Sequence, residues 1–562
     1  MRKQWAFGPA IVAFVAAQSA LAGNIDEGLK SVMNAAQAGD IISTLVFLNE
    51  QVDIDLLNAQ LDLEHAKLQR RHEVVVRALQ QVAADTQNVF LNDMRRLEAA
   101  GRIERLHAYW ISNVFRIDAP VEELGKIAAH ASVKTVYFNY EIELIEPVES
   151  NPGGISSAVT NSLREIRAPE AWALGYDGSG VLVSNMDTGV DGNHPALADR
   201  WAGVADPRYA GHPEWAWFDP FGGQNDFPRD FNGHGTHTMG TICGGAPGRE
   251  IGVAPGAIWM GSSPIDRQSI ARTVADALLS FEWMLDPDGN PSTNWDVPAV
   301  NSNSWGLTTG HGFPPCDETF WSHLDACEAA GIVILFSAGN EGTSGLRRPA
   351  DRATDEYRTC AVAAVDCENS TFPWPIAGFS SRGPTFCTPG GGAAIKPDIS
   401  APGVNVDSAA IGGGYRRLSG TSMASPHVNG VVALIRQACP DLTVPEVKQV
   451  LYDSAVDLGD PGEDNIFGWG NINAEAAVLL ALELCIDSEG QIDLDSAKYA
   501  CEDQVNVIVR DLDLNLDPNT VEVVDITIES DSEPVGEIIT LTETGPDTSR
   551  FEALVPISET NA

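Results

Sequence analysis

Between residues 151 and 484 the chain passes repeatedly from a short apolar run, through a glycine-bearing turn, into a helical pattern. Val181 to Met186 (VLVSNM) leads into Asp187-Thr188-Gly189, Ile332 to Ser337 (IVILFS) leads into Ala338-Gly339-Asn340, and the helical pattern from Ala271 to Leu285 precedes the apolar run Ala299 to Ser302. Strands buried on both faces lose the strict alternation of a half-solvated sheet, and crossover helices oblige neighbouring strands to run parallel. The pattern therefore predicts an α/β unit with a parallel sheet covered by helices, whose ligands bind at the carboxyl ends of the strands.

The flanking segments obey different periodicities. From Gly23 to Ser150, strand-length runs (Ile41 to Leu48, Leu106 to Ile117, Val133 to Leu144) alternate with helical spacing over Leu56 to Leu97 and Val121 to His130, which predicts an α+β unit. After Cys485 only short β patterns occur: Val505, Val507 and Val509, then Val524, Ile526 and Ile528, then Ile538 to Leu541 and Phe551 to Ile557. About five strands are visible against roughly seven in a full sandwich, so a β-sandwich domain at 485–562, short of its full complement, is expected. At the start, Arg2 and Lys3 precede an apolar run from Ala10 to Ala17 and the small-residue pattern Ala20-Leu21-Ala22, which reads as an export signal over residues 1–22. No later apolar run is long enough for a membrane span.

A formal net charge of -43 excludes nucleic acid as a partner, because phosphate recognition requires a basic footprint. The segment after Leu484, with 19 acidic and 3 basic residues, is the most one-sided. With 44% hydrophobic residues the chain is nonetheless able to build ordinary cores. Nine cysteines are an odd number, so disulfide pairing in an oxidising compartment leaves at least one thiol over, and Cys485 with Cys501 is the first expected pair.

Three motifs of the middle segment carry chemistry. They are Asp187-Thr188-Gly189 at a strand end, Asn232-Gly233-His234-Gly235-Thr236-His237, and Gly420-Thr421-Ser422-Met423-Ala424-Ser425-Pro426. A serine hydroxyl is a weak nucleophile until a base takes its proton, and His234 is the candidate base. Asp187 would hold the imidazole in the required tautomer and stabilise the imidazolium. Ser422 opens a helical pattern, so it sits where free N–H groups and the helix dipole favour negative charge. His234 and His237 lack the glutamate of a zinc-binding H-E-x-x-H pattern, so His237 reads as a packed neighbour, and Ser425 and His427 as structural residues of the nucleophile's helix.

The order Asp, His, Ser, together with Asn301 to Gly306 (NSNSWG), Ser337 to Gly342 (SAGNEG), Lys396 to Gly403 (KPDISAPG) and Phe467 to Ala474 (FGWGNINA), resembles the subtilisin-like serine proteases, or subtilases, and among them the bacillopeptidase F type. The resemblance implies a secreted serine endopeptidase acting on proteins or peptides. Asp187, His234 and Ser422 would be catalytic, and the side-chain amide of Asn340 with the backbone N–H of Ser422 would form the oxyanion hole. Ser304, Trp305, Gly306 and Gly339 would bind substrate, Ser304 to Gly306 offering an edge backbone for strand addition, with core packing as the alternative role of the Trp305 side chain. It further implies that residues 23–150 are a ferredoxin-like inhibitory prodomain, that 151–484 are the catalytic domain, and that self-cleavage falls between about Pro147 and Val159, releasing the enzyme to the medium, the periplasm or the cell surface. The resemblance implies no cofactor for the chemistry and allows a structural calcium, for which Asp511, Asp513, Asn515 and Asp517, or Asp286, Asp288 and Asn290, offer oxygen-rich runs, with a solvated acidic edge as the alternative for the former.

Overall fold

The computed structural model describes the chain except for residues 1–22, 65, 153–158, 222–224, 247, 266–272, 309–312, 490, 495–503, 512–513, 515–519, 531–532, 546–549 and 557–562. The expected export signal lies outside the described residues, as do Asp513, Asn515, Asp517, Cys501 and part of the expected cleavage window. The chain divides into two compact units, Met1–Ala477 and Val478–Ala562.

A seven-stranded sheet organises the first unit, in the spatial order Ile399–Pro402, Cys360–Val365, Val333–Ser337, Val300–Asn303, Leu182–Met186, Ile258–Ser262, Trp217–Phe218. Every pairing in it is parallel. Leu182–Met186 and Val333–Ser337 are buried at every position, which explains their continuous apolar runs. The connection order reverses at Leu182–Met186, so Asp187 emerges at the point where an open α/β sheet leaves a crevice. Helix Thr421–Ala438 is buried throughout from Thr421 to Arg436. This helix is buried on all sides, its polar residues included, and it places its N-terminus at the same end of the sheet as Asp187.

Residues 24–138 form a five-stranded sheet in the order Asn24–Ile25, Val133–Phe138, Ile41–Leu48, Val114–Pro120, Arg105–Tyr109. Helices Leu68–Ala99 and Val121–Ala128 complete a β-α-β-β-α-β order over residues 41–138. The helical stretch expected over Leu56 to Leu97 is two helices, Ile54–Leu63 and Leu68–Ala99. Their junction is held by Arg71, whose guanidinium reaches the Ala66 carbonyl, Asn58 and Asp62. The strand expected from Leu106 to Ile117 is a hairpin, Arg105–Tyr109 and Val114–Pro120, turning through Asn113 at φ 45°. The long helix is amphipathic in two halves. Phe90 and Met94 pack on this unit's own sheet, whereas Val75, Val76 and Leu79 join Leu278, Phe281 and Leu324 of the larger sheet's helices in one apolar cluster.

Among the described residues, the unit Val478–Ala562 contains an antiparallel sheet in the order Gln491–Leu494, Gln504–Arg510, Arg550–Pro556, Glu533–Glu543, Val523–Ser530. Val507, Val509, Leu541 and Phe551 form its core. Cys439 and Cys485 are both disulfide-bonded, while the other six described cysteines are free thiols. Cys501, the partner expected for Cys485, lies outside the described residues.

Candidate active site

Asp187 follows strand Leu182–Met186 and is buried. Its Oδ1 accepts from His234 Nδ1 at 2.8 Å and from the Thr188 backbone N–H at 2.7 Å, and its Oδ2 accepts from the Thr238 hydroxyl at 3.2 Å. The carboxylate is thus oriented from three sides before it meets the imidazole. Gly189, at φ 114°, lets the chain turn away here: a Cβ would stand 2.0 Å from the Arg229 carbonyl oxygen.

His234 is the first residue of helix His234–Cys243. With Nδ1 donating to Asp187, Nε2 is left as the basic nitrogen, and it is buried with no hydrogen-bond partner. Asp230 builds the loop before it, and the motifs did not reveal this residue. Its Oδ1 accepts from the Thr188 hydroxyl and the N–H groups of Asn232 and Gly233, and its Oδ2 from the N–H and hydroxyl of Thr236. Burial raises its pKa. An aspartate two residues before Asn232 is a turn signal that could have drawn attention to it.

Ser422 is the second residue of helix Thr421–Ala438. Pro426 lacks the N–H that would bond the Ser422 carbonyl, and the Ser304 hydroxyl supplies that donor instead at 3.2 Å. The Ser422 hydroxyl donates to the Ile145 carbonyl at 2.9 Å rather than to His234. Asn340 is held by its side-chain oxygen, which accepts from the Thr421 N–H and hydroxyl, both at 3.0 Å. Its amide Nδ2 therefore points outward and donates to the Glu146 carbonyl at 2.9 Å.

A segment of the chain's own N-terminal part thus occupies the cleft. Glu143–Leu144 pairs antiparallel with Trp305–Gly306, the Ile145 N–H donates to the Ser304 carbonyl at 3.3 Å, and the Val148 N–H donates to the Ser419 carbonyl at 2.8 Å. Glu149–Pro152 continues as a strand on Gly414–Ser419. Trp305 offers only its backbone to this segment, because its indole is fully buried among Phe281, Phe320 and Phe336. Gly339, at φ 118°, leaves room for Glu341, whose Oε2 would lie 2.3 Å from a Cβ. Glu341 pairs with Arg347, and Arg347 also donates to the Leu144 carbonyl at 3.4 Å.

His237 lies between the Val406 and Arg416 carbonyls, and burial holds its pKa well below the usual value. His427 Nδ1 donates to the Met423 carbonyl of its own helix, with a pKa lowered by burial to about 4, and Ser425 bonds Ser302. All three are structural. Gln80 donates to Asp286 Oδ2, and the Asn290 N–H and Thr293 hydroxyl donate to Asp288, while Asp286 Oδ1 and the nearby Asp296 Oδ1 are buried with no hydrogen-bond partner.

The arrangement is a parallel-sheet hydrolase site in which an Asp–His pair, a serine at a helix N-terminus and a fixed amide donor surround an extended peptide. Residues 178–470 match the model of the Subtilase family, and the chain belongs to that family of serine endopeptidases. It is 33% identical over 453 residues to Bacillopeptidase F of Bacillus subtilis, covering 76% of this chain and 30% of that protein. It is 30% identical to Serine protease AprX of the same organism, covering 62% and 75%, and 29% identical to M-protease of Shouchella clausii, covering 72% and 88%. The fold is also similar to fervidolysin from Fervidobacterium pennivorans, a keratinolytic enzyme related to subtilisin, with TM-score 0.55, 20% identity, and coverage of 94% of this chain and 70% of that one. This chain therefore spans less than a third of Bacillopeptidase F.

Proposed function

We propose that the chain is the precursor of an exported serine endopeptidase that cleaves itself and is then inhibited by its own N-terminal part. The observation that carries this reading is the segment Glu143 to Val148 lying in the cleft as an extended peptide, with Ile145 O at the Ser422 hydroxyl and Glu146 O at the Asn340 amide. Ser422 Oγ attacks a carbonyl carbon while its proton passes to His234 Nε2, and Asp187 stabilises the imidazolium that forms. The Asn340 amide and the Ser422 backbone N–H receive the charge that develops on the carbonyl oxygen. Collapse of the tetrahedral species breaks the C–N bond, His234 returns the proton to the leaving amine, and water, activated in the same way, hydrolyses the acyl-enzyme.

The Ser422 contact supports a first self-cleavage at Ile145–Glu146, slightly before the window expected from the sequence, with the Ile145 carbonyl oxygen moving from the Ser422 hydroxyl to the Asn340 amide, which holds Glu146 O before the attack. The next peptide bond involves Pro147, whereas the Ile145 carbonyl already touches the nucleophile. Residues 23–145 then act as the inhibitory prodomain, and the larger sheet's residues as the catalytic domain. Among the described residues, no helix is long and apolar enough to cross a membrane. N-terminal sequencing of the secreted protein tests the proposal: a start at Glu146, or trimmed a few residues beyond it, is expected, and Ser422→Ala should remain uncut. An active protein with Gly23 as its only start would refute it, as would fluorophosphonate labelling that persists in Ser422→Ala.

A further inference from the structure

Of the six free thiols, Cys316 and Cys387 stand apart: their sulfurs and an Asp351 carboxylate oxygen all lie within 4.8 Å of one another. They come from loops 71 positions apart in sequence, and each loop is pinned where it meets the other. Cys316 holds a left-handed backbone, φ 57°, which a non-glycine residue keeps only when its surroundings impose it, and its N–H points at Asp351 Oδ2 at 3.5 Å. Cys387 is tied through its N–H to the Thr385 hydroxyl and through its carbonyl to the Ala353 N–H, and the same Thr385 hydroxyl donates to the Asp351 carbonyl at 2.6 Å.

We propose that Cys316 and Cys387 form a disulfide in the exported protein, fastening the loop that follows the substrate-binding edge Ser304 to Gly306. A metal ion fits the donor set less well. Structural zinc takes four ligands, and only three converge here among the described residues. One of those, Asp351, is already engaged by the Arg348 guanidinium at 3.4 Å.

The chemistry is thiol–disulfide exchange with a disulfide-bearing donor, either a small-molecule disulfide or an oxidoreductase. Cys316 is the partly exposed member and Cys387 is buried, so Cys316 reacts first. Its sulfur attacks one donor sulfur, releasing one donor thiol and leaving a mixed disulfide. Cys387 sulfur then attacks Cys316 Sγ, forming the protein disulfide and releasing the second donor thiol. The donor disulfide is reduced by two electrons, the two protein thiols are oxidised, and their protons leave with the two released thiols.

The consequence for the site follows the backbone. Leu307 and Arg348 exchange both N–H···O bonds, at 3.0 and 3.1 Å, and the Asp351 N–H donates to the Arg347 carbonyl. Arg347 touches the peptide in the cleft. A bond between Cys316 and Cys387 closes a covalent frame around this stretch and restricts the opening of the substrate edge.

The inference takes its oxidising compartment from the export proposed above, and the following in vitro test is independent of that export. The full-length Ser422→Ala chain is purified reduced, incubated with oxidised glutathione, alkylated in denaturant, and digested without reduction. A single cross-linked peptide pair holding Cys316 and Cys387, about 2 Da lighter than the two thiol peptides and separated by dithiothreitol, is expected. Carried through the same oxidation, Cys316→Ser should melt on the order of 5 to 10 °C below the parent chain. Full alkylation of both thiols, separate glutathione adducts without a link, a link from either cysteine to another, or one retained zinc ion per chain protecting both thiols would each overturn the proposal. A positive result in vitro with the chain retained in the cytoplasm of its producing cell would refute the export reading and leave the pairing itself intact.

Discussion

Glu282 offers a test of how the N-terminal part grips the protease. It sits on helix Val274–Leu285, and its Oε2 accepts from the N–H groups of Trp110 at 2.5 Å and Ile111 at 3.1 Å, the turn of the N-terminal hairpin. Burial in this contact pushes its pKa from 4.5 up to about 7, with the two N–H bonds pulling the other way. A carboxyl raised in the complex favours the neutral form there, so binding weakens as pH rises from the free value near 4.5 through about 7. The full difference is worth about 3 kcal/mol at pH 8, and only about 1 kcal/mol at pH 5.5.

Both N–H groups use one oxygen, so Glu282→Gln retains the acceptor and discards the charge. Glu282→Ala leaves two donors unpaired, at about 1 to 3 kcal/mol each before water returns to them. At pH 5.5, subtracting the ionisation cost that alanine escapes, Glu282→Ala should weaken inhibition by about 2 kcal/mol, or roughly 30-fold. At pH 8 its loss should nearly vanish, while Glu282→Gln should bind about 10²-fold tighter than the parent. The assay is the inhibition constant of isolated residues 23–145 against mature enzyme, read with a chromogenic peptide at both pH values. Equal pH slopes for the parent and Glu282→Gln would refute the reasoning.

Three further outcomes are expected. His72, buried at the same contact with Nε2 2.7 Å from the Leu285 carbonyl, has its pKa lowered by burial, so the complex loses stability as pH falls below the ordinary 6.5; His72→Gln should flatten that acid limb of the inhibition profile. Asp187→Asn should lower kcat by about 10⁴-fold with the fold retained, measured with the same substrate and by thermal melting, because the amide selects the wrong imidazole tautomer. Asp230→Ala unpairs the N–H and hydroxyl donors that shape the His234 loop, so kcat should fall at least about tenfold with KM little changed, and stability by about 3 kcal/mol in denaturant titration.

Much of the site is legible in the chain because each reactive group belongs to a short local motif. Asp187 needs a strand end and a glycine turn, His234 and Ser422 need helix starts, and Asn340 needs the turn after Val333–Ser337; all these signals lie within a few residues of the group they place. Asp230 escaped because its importance comes from five donors converging on one carboxylate, and no single spacing encodes convergence. The break between Ile54–Leu63 and Leu68–Ala99 escaped because no proline or glycine marks it: the Arg71 side chain ends one helix in space rather than in sequence.

Periodicity and short-range turn chemistry act along the backbone, so the amino-acid order alone determined the parallel sheet, the Asp–His–Ser motifs and the net charge of -43. Surface recognition acts between faces whose partners no periodicity names. Tertiary structure therefore decided that the apolar stripe of Val75, Val76 and Leu79 packs on Leu278 and Phe281, that Ile145 rather than a later residue meets Ser422, and that Cys316 faces Cys387. A hydrophobic stripe records that a face must be buried, and only packing determines against what.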